Sequence, residues 1–591
     1  MHKLDDFDEI VFVDFEFGVS VDGRPAPRCM VAKELRSGRV YRTWEDELPR
    51  IAAAPFRTDR KVLFVAYSAQ AELACFSTLG WALPARILDL NVEHHNLTNG
   101  LDVGRKLINA LAWHGLPHID LHEKKEMQQL ALRGGPWRAG EPAALMEYCE
   151  SDVVALELLL PKMLPHISVR HALLRGHYVR AAAIIEFDGV PVDVEAVRLL
   201  KRHREELRRE VVASVAEFGV YVGTTFKTKR FEAWLRANGV FWPRLPSGRL
   251  DLDKKTFEGM AALYLQVRPL YAARRTLSGL KKNKLHVAPD GQSRSPLWPF
   301  SSKTSRNQPS NSKHIFGLPG WMRGLIRPPP GETLAYIDWC QQEYGIAAAL
   351  SGDPAMWTAY EHEDPYIKFG LDANVLPDGA TATSHPIERA QLKACALGLL
   401  FGKGSYRLAM DLGITEVEAA DLLRGHRAAY PTFWAWSESI VDHAMLFGWA
   451  RTVFGWRLLK GRDPNPRSFM NFPMQANGAE MMRLAACYGL EAGVRICTPV
   501  HDAFLVRAPT GEIHDTVDRM RAAMAKASSV VLAGKQLRTD VQLVDADNPL
   551  PTGEKLRMWQ DIKAALYRIA ADDMCAGEHE GVRPRTPGQL L

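Results

Sequence analysis

Asp338 closes the apolar run LAYIDW (Leu334–Trp339), and Asp502 stands at the bend of ICTPVHDAFLVRA (Ile496–Ala508), two apolar runs joined at His-Asp. Two carboxylates delivered by separate strands could hold a pair of Mg²⁺ ions about 3.5–4 Å apart, one activating a hydroxyl and one stabilising a leaving phosphate. An Asp at a strand end is by itself more often a turn or cap residue, so the surroundings decide. Arg389 and Lys393 stand four apart on a helical pattern, with Leu397 and Phe401 at the next four-residue steps. That spacing lays two cations and two apolar groups along one stripe. It fits a nucleotide platform, with cations on a triphosphate and apolar groups on sugar and base; a solvated charge pair above a buried stripe gives the same pattern.

A second set of acids lies near the start of the chain. Asp14 and Glu16 in VDFEF are i and i+2 on a strand-like run, hence on one face and suited to a shared metal. Tyr148 and Asp152 in YCESD are i and i+4 on a helical pattern, 136 residues beyond Glu16. A lone D-x-E is more often a solvated strand end, so the reading rests on the two patterns together.

The elements that must position these groups are legible in outline. Ile10–Phe17 and Lys61–Tyr67 read as strands, with helical patterns around Ala71–Leu79 and Ala143–Leu160, the rhythm of an α/β domain. Residues 171–285 read as long charged helices, one of them spanning Val197–Phe218. Further on, a strand ends at Trp339, a helix starts near Gln341, and helices follow at about Pro386–Phe401 and Pro473–Leu490. The His-Asp bend predicts a β-hairpin with an acid at its tip. From Gly259 to Gly331 twelve Lys/Arg face a single acid, Asp290. That is either a solvated basic face or a surface tracking a phosphate backbone, and the near-exclusion of acids favours the second.

With 591 residues, 47% hydrophobic and 24% charged, the chain is globular and long enough for about four folded units, which excludes disordered and fibrous classes. Net charge is a mild +5, and the eight cysteines form no C-x-x-C pair, so neither a disulfide framework nor a structural zinc site is expected. No apolar stretch approaches the roughly 18 residues of a membrane span, and the acidic start does not read as a secretory signal. The expectation is a cytoplasmic protein.

The motifs together resemble family A DNA polymerases, the bacterial DNA polymerase I type, and more closely its compact phage-encoded members. DWCQQE (Asp338–Glu343), RAQLKACALGLLFG (Arg389–Gly402) and VHDA (Val500–Ala503) resemble motif A, the fingers motif and motif C; SKTSRNQPSN (Ser302–Asn311) and RSFMNFPMQ (Arg467–Gln475) agree in order. The resemblance implies that Asp338, Asp502 and the Trp339 carbonyl ligate the catalytic metals and that Glu343 is the steric gate against a ribose 2′-OH. Arg389 and Lys393 would bind the triphosphate, Lys393 also giving a proton to pyrophosphate, with Gln341, Leu397 and Phe401 completing the nucleotide site. Arg306 would read the minor groove near the primer end, Arg467, Asn471 and Gln475 would lie along the nascent duplex, His501 by the primer terminus, and Lys281 and Lys282 on DNA. The step of four through Arg467, Asn471 and Gln475 suggests one helix face, but Pro473 is expected to kink or start that helix. Leu397 stands where many relatives have Phe or Tyr, Phe401 replaces a usual Tyr, and Ala503 replaces a frequent acid.

The N-terminal region resembles the family's 3′–5′ proofreading exonuclease. Asp14, Glu16 and Asp152 would hold metal and Tyr148 would orient the attacking water. In AYSAQAELACF (Ala66–Phe76), Glu72 falls where the family has Asp and Ser68 where it often has Asn. Glu72 is then either a displaced metal-site acid or a helix surface residue. No 5′-nuclease domain is expected.

The implied fold class is multi-domain α/β and α+β: an RNase H-like exonuclease (1–170), then a right-hand polymerase with thumb (171–290), palm (291–352 and 468–591) and fingers (353–467). The implied function is DNA-directed DNA synthesis in phage-type replication, by a monomer in the host cytoplasm. Its partners would be primer–template DNA, dNTPs and a single-stranded 3′ end, its cofactor two Mg²⁺ at each site, with Mn²⁺ able to substitute. An exonuclease with a decayed polymerase, or a non-catalytic DNA-binding factor, would share parts of this pattern.

Overall fold

The run EIVFVDFEFGV forms β1 (Glu9–Val19), and its alternation explains its place at the centre of a sheet. Val11, Val13 and Phe15 point into one apolar core, while Ile10 and Phe12 point into another on the opposite face. A strand buried on both faces reads as a near-continuous apolar run. The sheet has the order β3-β2-β1-β4-β5, built from β2 (Pro25–Glu34), β3 (Val40–Trp44), β4 (Val62–Ala66) and β5 (Ile87–Asp89). β1 pairs antiparallel with β2 and parallel with β4. Helices α1 (Gln70–Leu79), α2 (Leu90–Thr98), α3 (Glu141–Met163) and α4 (Val169–Asp188) cover it. Phe12 is fully buried; Phe12→Ala would cost about 3–5 kcal/mol in lost burial and cavity.

A second sheet carries the later acids. Its order is β7-β8-β6-β9, with β6 (Glu332–Trp339), β7 (Arg495–Val500), β8 (Ala503–Pro509) and β9 (Thr539–Val544). Both β7 and β6 run antiparallel to β8. Around it lie α5 (Gln342–Ser351), α6 (Pro365–Asp372), α7 (Pro386–Leu400), α8 (Pro466–Glu491) and α9 (Ile513–Val531). Val11 and Phe76 belong to the same continuous core as Ile337, Trp339 and Phe504, so the two sheets share one apolar interior.

The computed structural model describes residues 4–117 and 121–580; the ends of the expected first and last segments, 1–3 and 581–591, lie outside the described residues. Internal contacts divide the chain into two units. One takes the chain up to Gly189 with Leu297–Gln308 and Gly331–Leu543; the other takes Val190–Pro296, Pro309–Pro330 and the chain from Val544 on. The N-terminal stretch of the first unit runs to Gly189, and its α4 sends Tyr178, Val179, Ala182 and Ile185 into the core of β1. The stretch 468–591 divides after Leu543.

The second unit is helical, with its own core around Phe218, Phe231, Trp242 and Phe257. The single helix expected over Val197–Phe218 is two, Val194–Arg202 and Arg204–Ala213, broken at His203. α8 also differs from expectation. It starts at Pro466, capped by the Asn465 side chain on Arg467 N, and runs through Pro473 without ending. A proline at the first helical position has no amide hydrogen bond to lose.

Candidate active sites

Register brings Asp338 and Asp502 together. Asp338 lies opposite Ala503 across β6 and β8, and Trp339 N donates to the Asp502 carbonyl at 3.2 Å. Both corners are conformationally unusual: His501 in the two-residue hairpin turn has φ +55°, and Gln341, the N-cap of α5, has φ +44°. Left-handed backbone at a non-glycine residue costs of order 1–3 kcal/mol and collects at functional sites. Burial, with the charges of Asp502 and Asp540 behind it, pushes the Asp338 carboxyl up to about 7. Burial raises Asp502 too, opposed by a backbone hydrogen bond and by the nearby His501 and Arg306 side chains.

The donor set fits a hard divalent cation. Asp338 Oδ1 is buried without a hydrogen-bond partner beside a second carboxylate, the arrangement that oxygen-seeking Mg²⁺ relieves. The Trp339 side chain is buried, leaving only its backbone to take part. Gln341 Oε1 is also buried and unpartnered. His501 is exposed at the turn.

Arg306 lies near enough to this pair for its charge to act on Asp502. Arg306 Nη2 donates to Glu343 Oε1 at 3.2 Å, joining two segments 37 residues apart. On α7, Arg389 and Lys393 both lie over the Tyr366 ring, 5.8 Å from its centroid, and Leu397 and Phe401 follow on the same partly exposed face. The stripe read from spacing is therefore a solvent-accessible helix face. On α8, Arg467 is exposed and Asn471 and Gln475 are half-buried, in a helix that runs through Pro473. Lys281 and Lys282 are exposed in the last turn of the helix Arg268–Lys282, in the second unit.

Sequence reasoning missed two acids. Asp540 on β9 adds its charge to Asp338 and hydrogen-bonds the Cys340 thiol. Asp364 caps α6 through Tyr366 N and Ile367 N and also takes the Arg389 guanidinium. Neither charge contact has a local signature in the sequence.

The N-terminal acids form a second cluster. Asp14 and Glu16 continue the face of Ile10 and Phe12, toward α3, and the β-bulge after Glu16 turns the strand away. Ligand atoms of Asp14, Glu16 and Asp152 lie within 4.8 Å of one another, a spacing that suits a shared cation. Tyr148 donates to Asp152 Oδ2 at 3.3 Å, and burial raises its hydroxyl. Glu72 is 4% exposed, so the surface reading of this residue is corrected: it is a buried member of the cluster. Burial, then Asp14 and Glu16, push its carboxyl well up, and its Oε2 has no hydrogen-bond partner.

Residues 316–545 match the family model "DNA polymerase family A". Through this segment the chain is similar to DNA polymerase family A. The chain is 27% identical over 211 residues to the thermostable DNA polymerase I of Thermus thermophilus, covering 33% of this chain and 25% of that one. It thus spans about a quarter of that relative's length. It is 23% identical over 485 residues to DNA polymerase I of Aquifex aeolicus, covering 73% and 80%, and 26% identical over 250 residues to the DNA polymerase of Mycobacterium phage D29, covering 40% and 39%. The fold matches the POL domain of Pol1 from M. smegmatis, solved in complex with DNA primer–template and dNTP, at TM-score 0.71 and 19% identity, covering 90% of this chain and 94% of that one. The mixed α/β fold therefore matches that of this polymerase domain. Among the described residues no helix is long and apolar enough to cross a membrane.

Proposed function

We propose that this chain extends a primer 3′-OH with dNTPs on a DNA template, as a phage-type replicative polymerase, and that its N-terminal acids remove 3′-terminal nucleotides. The observation that carries the first part is Asp338 meeting Asp502 across adjoining strands, with the Arg306–Glu343 pair beside them. In this reading the β6–β9 sheet is the palm, α6 and α7 belong to the fingers, the helices of the second unit form the thumb, and the β1–β5 sheet is an RNase H-like exonuclease domain.

Asp338 and Asp502 hold the divalent cations, Mg²⁺ by the hardness of the oxygen donors. When bound, such cations lower the pKa of the attacking hydroxyl and neutralise charge on the transferring phosphate. Arg389 and Lys393 grip the triphosphate, and Lys393 Nζ gives a proton to the departing pyrophosphate. Glu343 crowds the sugar where a 2′-OH would sit, Arg306 holds the minor-groove edge of the primer end, and the α8 face follows the duplex. In the N-terminal cluster Asp14, Glu16 and Asp152 hold cation, Glu72 supports them from beneath, and Tyr148 orients water at the terminal phosphate.

Primer extension with purified protein, Mg²⁺ and single dNTPs tests the reading. Template-matched addition of one nucleotide is expected; no addition would overturn it.

A further inference from the structure

The segment Leu297–Gln308 groups with the first unit although the residues on both sides of it belong to the second. It carries Arg306, and it holds three non-glycine residues in left-handed backbone: Trp298 at φ +50°, Phe300 at +56° and Ser305 at +59°. Each costs of order 1–2 kcal/mol, so the loop keeps this shape only where surrounding contacts over-determine it.

Arg483 holds Ser305, Nη1 donating to its carbonyl at 2.9 Å, and Trp456 Nε1 donates to the Lys303 carbonyl at 3.2 Å; the remaining contacts come from the N-terminal 189 residues. Asn99 Nδ2 donates to the Lys303 carbonyl at 2.7 Å and to the Arg457 carbonyl at 2.6 Å. His95 Nδ1 lies 2.7 Å from the Phe300 carbonyl. Burial drives the His95 pKa down to about 3, so the ring is neutral and the carbonyl fixes its proton on Nδ1. The Tyr178 hydroxyl accepts from Asn307 Nδ2 at 2.7 Å, and Glu186 accepts from Leu297 N. The helix supplying His95 is itself fastened down. Asn96 Oδ1 accepts from Arg457 N at 2.8 Å, and Leu459 N donates to the Asn99 carbonyl at 2.7 Å. Gly100 approaches so closely that a Cβ there would sit 2.2 Å from the Leu459 carbonyl oxygen. Within the loop, Ser302 Oγ accepts from Arg306 N at 2.8 Å, so the loop's shape sets where the guanidinium that pairs with Glu343 begins.

Resting on the polymerase reading above, we infer that Asn99, His95 and Tyr178 are positioning residues for primer extension. They hold the strained loop that aims Arg306, so the N-terminal domain is a structural part of the polymerase site independently of any nuclease activity. Residues in one network act non-additively, and that property distinguishes aiming Arg306 from general stabilisation.

The test uses the full chain with a matched primer–template, Mg²⁺ and one dNTP, comparing wild type, Tyr178→Phe, Asn99→Ala, Arg306→Ala and the double variant N99A R306A. Tyr178→Phe removes one oxygen and keeps the ring, so its fold is not in question. Expected are kcat losses of about threefold for Tyr178→Phe and about tenfold for Asn99→Ala, with dNTP KM within about twofold. Degradation of a single-stranded 3′ end should be unchanged, and the double variant no slower than Arg306→Ala alone. Unchanged kcat in both single variants, or fully additive losses in the double, overturns the inference alone. A wild type that cannot extend overturns the polymerase reading and this inference with it.

Discussion

In the C-terminal sheet, Asp338 near the end of β6 and Asp502 in the hairpin turn before β8 are brought together by a hydrogen-bonded ladder, with left-handed residues at His501 and Gln341. In the N-terminal sheet, Asp14 and Glu16 share one strand, while Asp152 and Glu72 arrive from two helices. The first arrangement has few acids on a hydrogen-bonded backbone, so the loss of either carboxylate should be poorly tolerated. The second spreads its charge over four side chains from three elements, so the loss of an outlying member should be tolerated better than the loss of a central one. Ala503 sharpens the contrast, because the position beside Asp502 offers no further acid and the nearby additional charge comes from Asp540 on a different strand.

The largest expected effect is at the Asp338–Asp502 pair. Asp502→Ala should lower primer extension by more than about 10³-fold, on the order of the several kcal/mol a metal-held charge supplies, with duplex binding nearly intact. Extension gels and a binding titration check it, and normal synthesis would break the comparison at its root. Asp14→Ala should lower degradation of a single-stranded 3′ end by roughly 10²-fold and leave extension unchanged, whereas Glu72→Gln should lower degradation by only about tenfold. Equal losses in the two variants would show that the four-acid cluster is as intolerant as the pair.

Stability gives a third handle. The Asp338 carboxyl is raised from the usual 3.8 to about 7 in the folded protein. Between those values the folded state keeps a proton that the unfolded chain has released, so stability falls as pH rises through the window. With chelator at pH 8, Asp338→Asn should therefore melt roughly 1–2 °C above wild type, about 1 kcal/mol after discounting for the exposed third of the group. Added Mg²⁺ should raise the wild-type melting temperature and leave the variant's unchanged. The smallest effect should be at Asp364, which competes for Arg389. Asp364→Asn keeps the helix cap but weakens that competition, and dNTP KM should fall about twofold with kcat unchanged, the size of a partly exposed ion pair; a rise in KM would show instead that Asp364 presents Arg389 to its ligand.

The sequence by itself determined β1, β4, β6 and the His-Asp hairpin, the cationic stripe of α7 and, apart from Asp540, the acids of the two clusters. Those properties follow from residue type and from periods of two and 3.6 residues, which act over a few positions of chain. Pro473 does not start α8, which begins at Pro466, where a proline has no intrahelical amide bond to lose. Glu72 could be read either way until its burial was known, since a carboxylate on a helix looks the same in sequence whether it faces water or other acids. The charge of Asp540 on Asp338, the hold of Asp364 on Arg389 and the grip of Asn99 on the loop of Arg306 were decided by tertiary structure. Each joins residues separated by 25 to 204 positions, and electrostatic and hydrogen-bond energies depend on distance in space, which chain spacing does not carry.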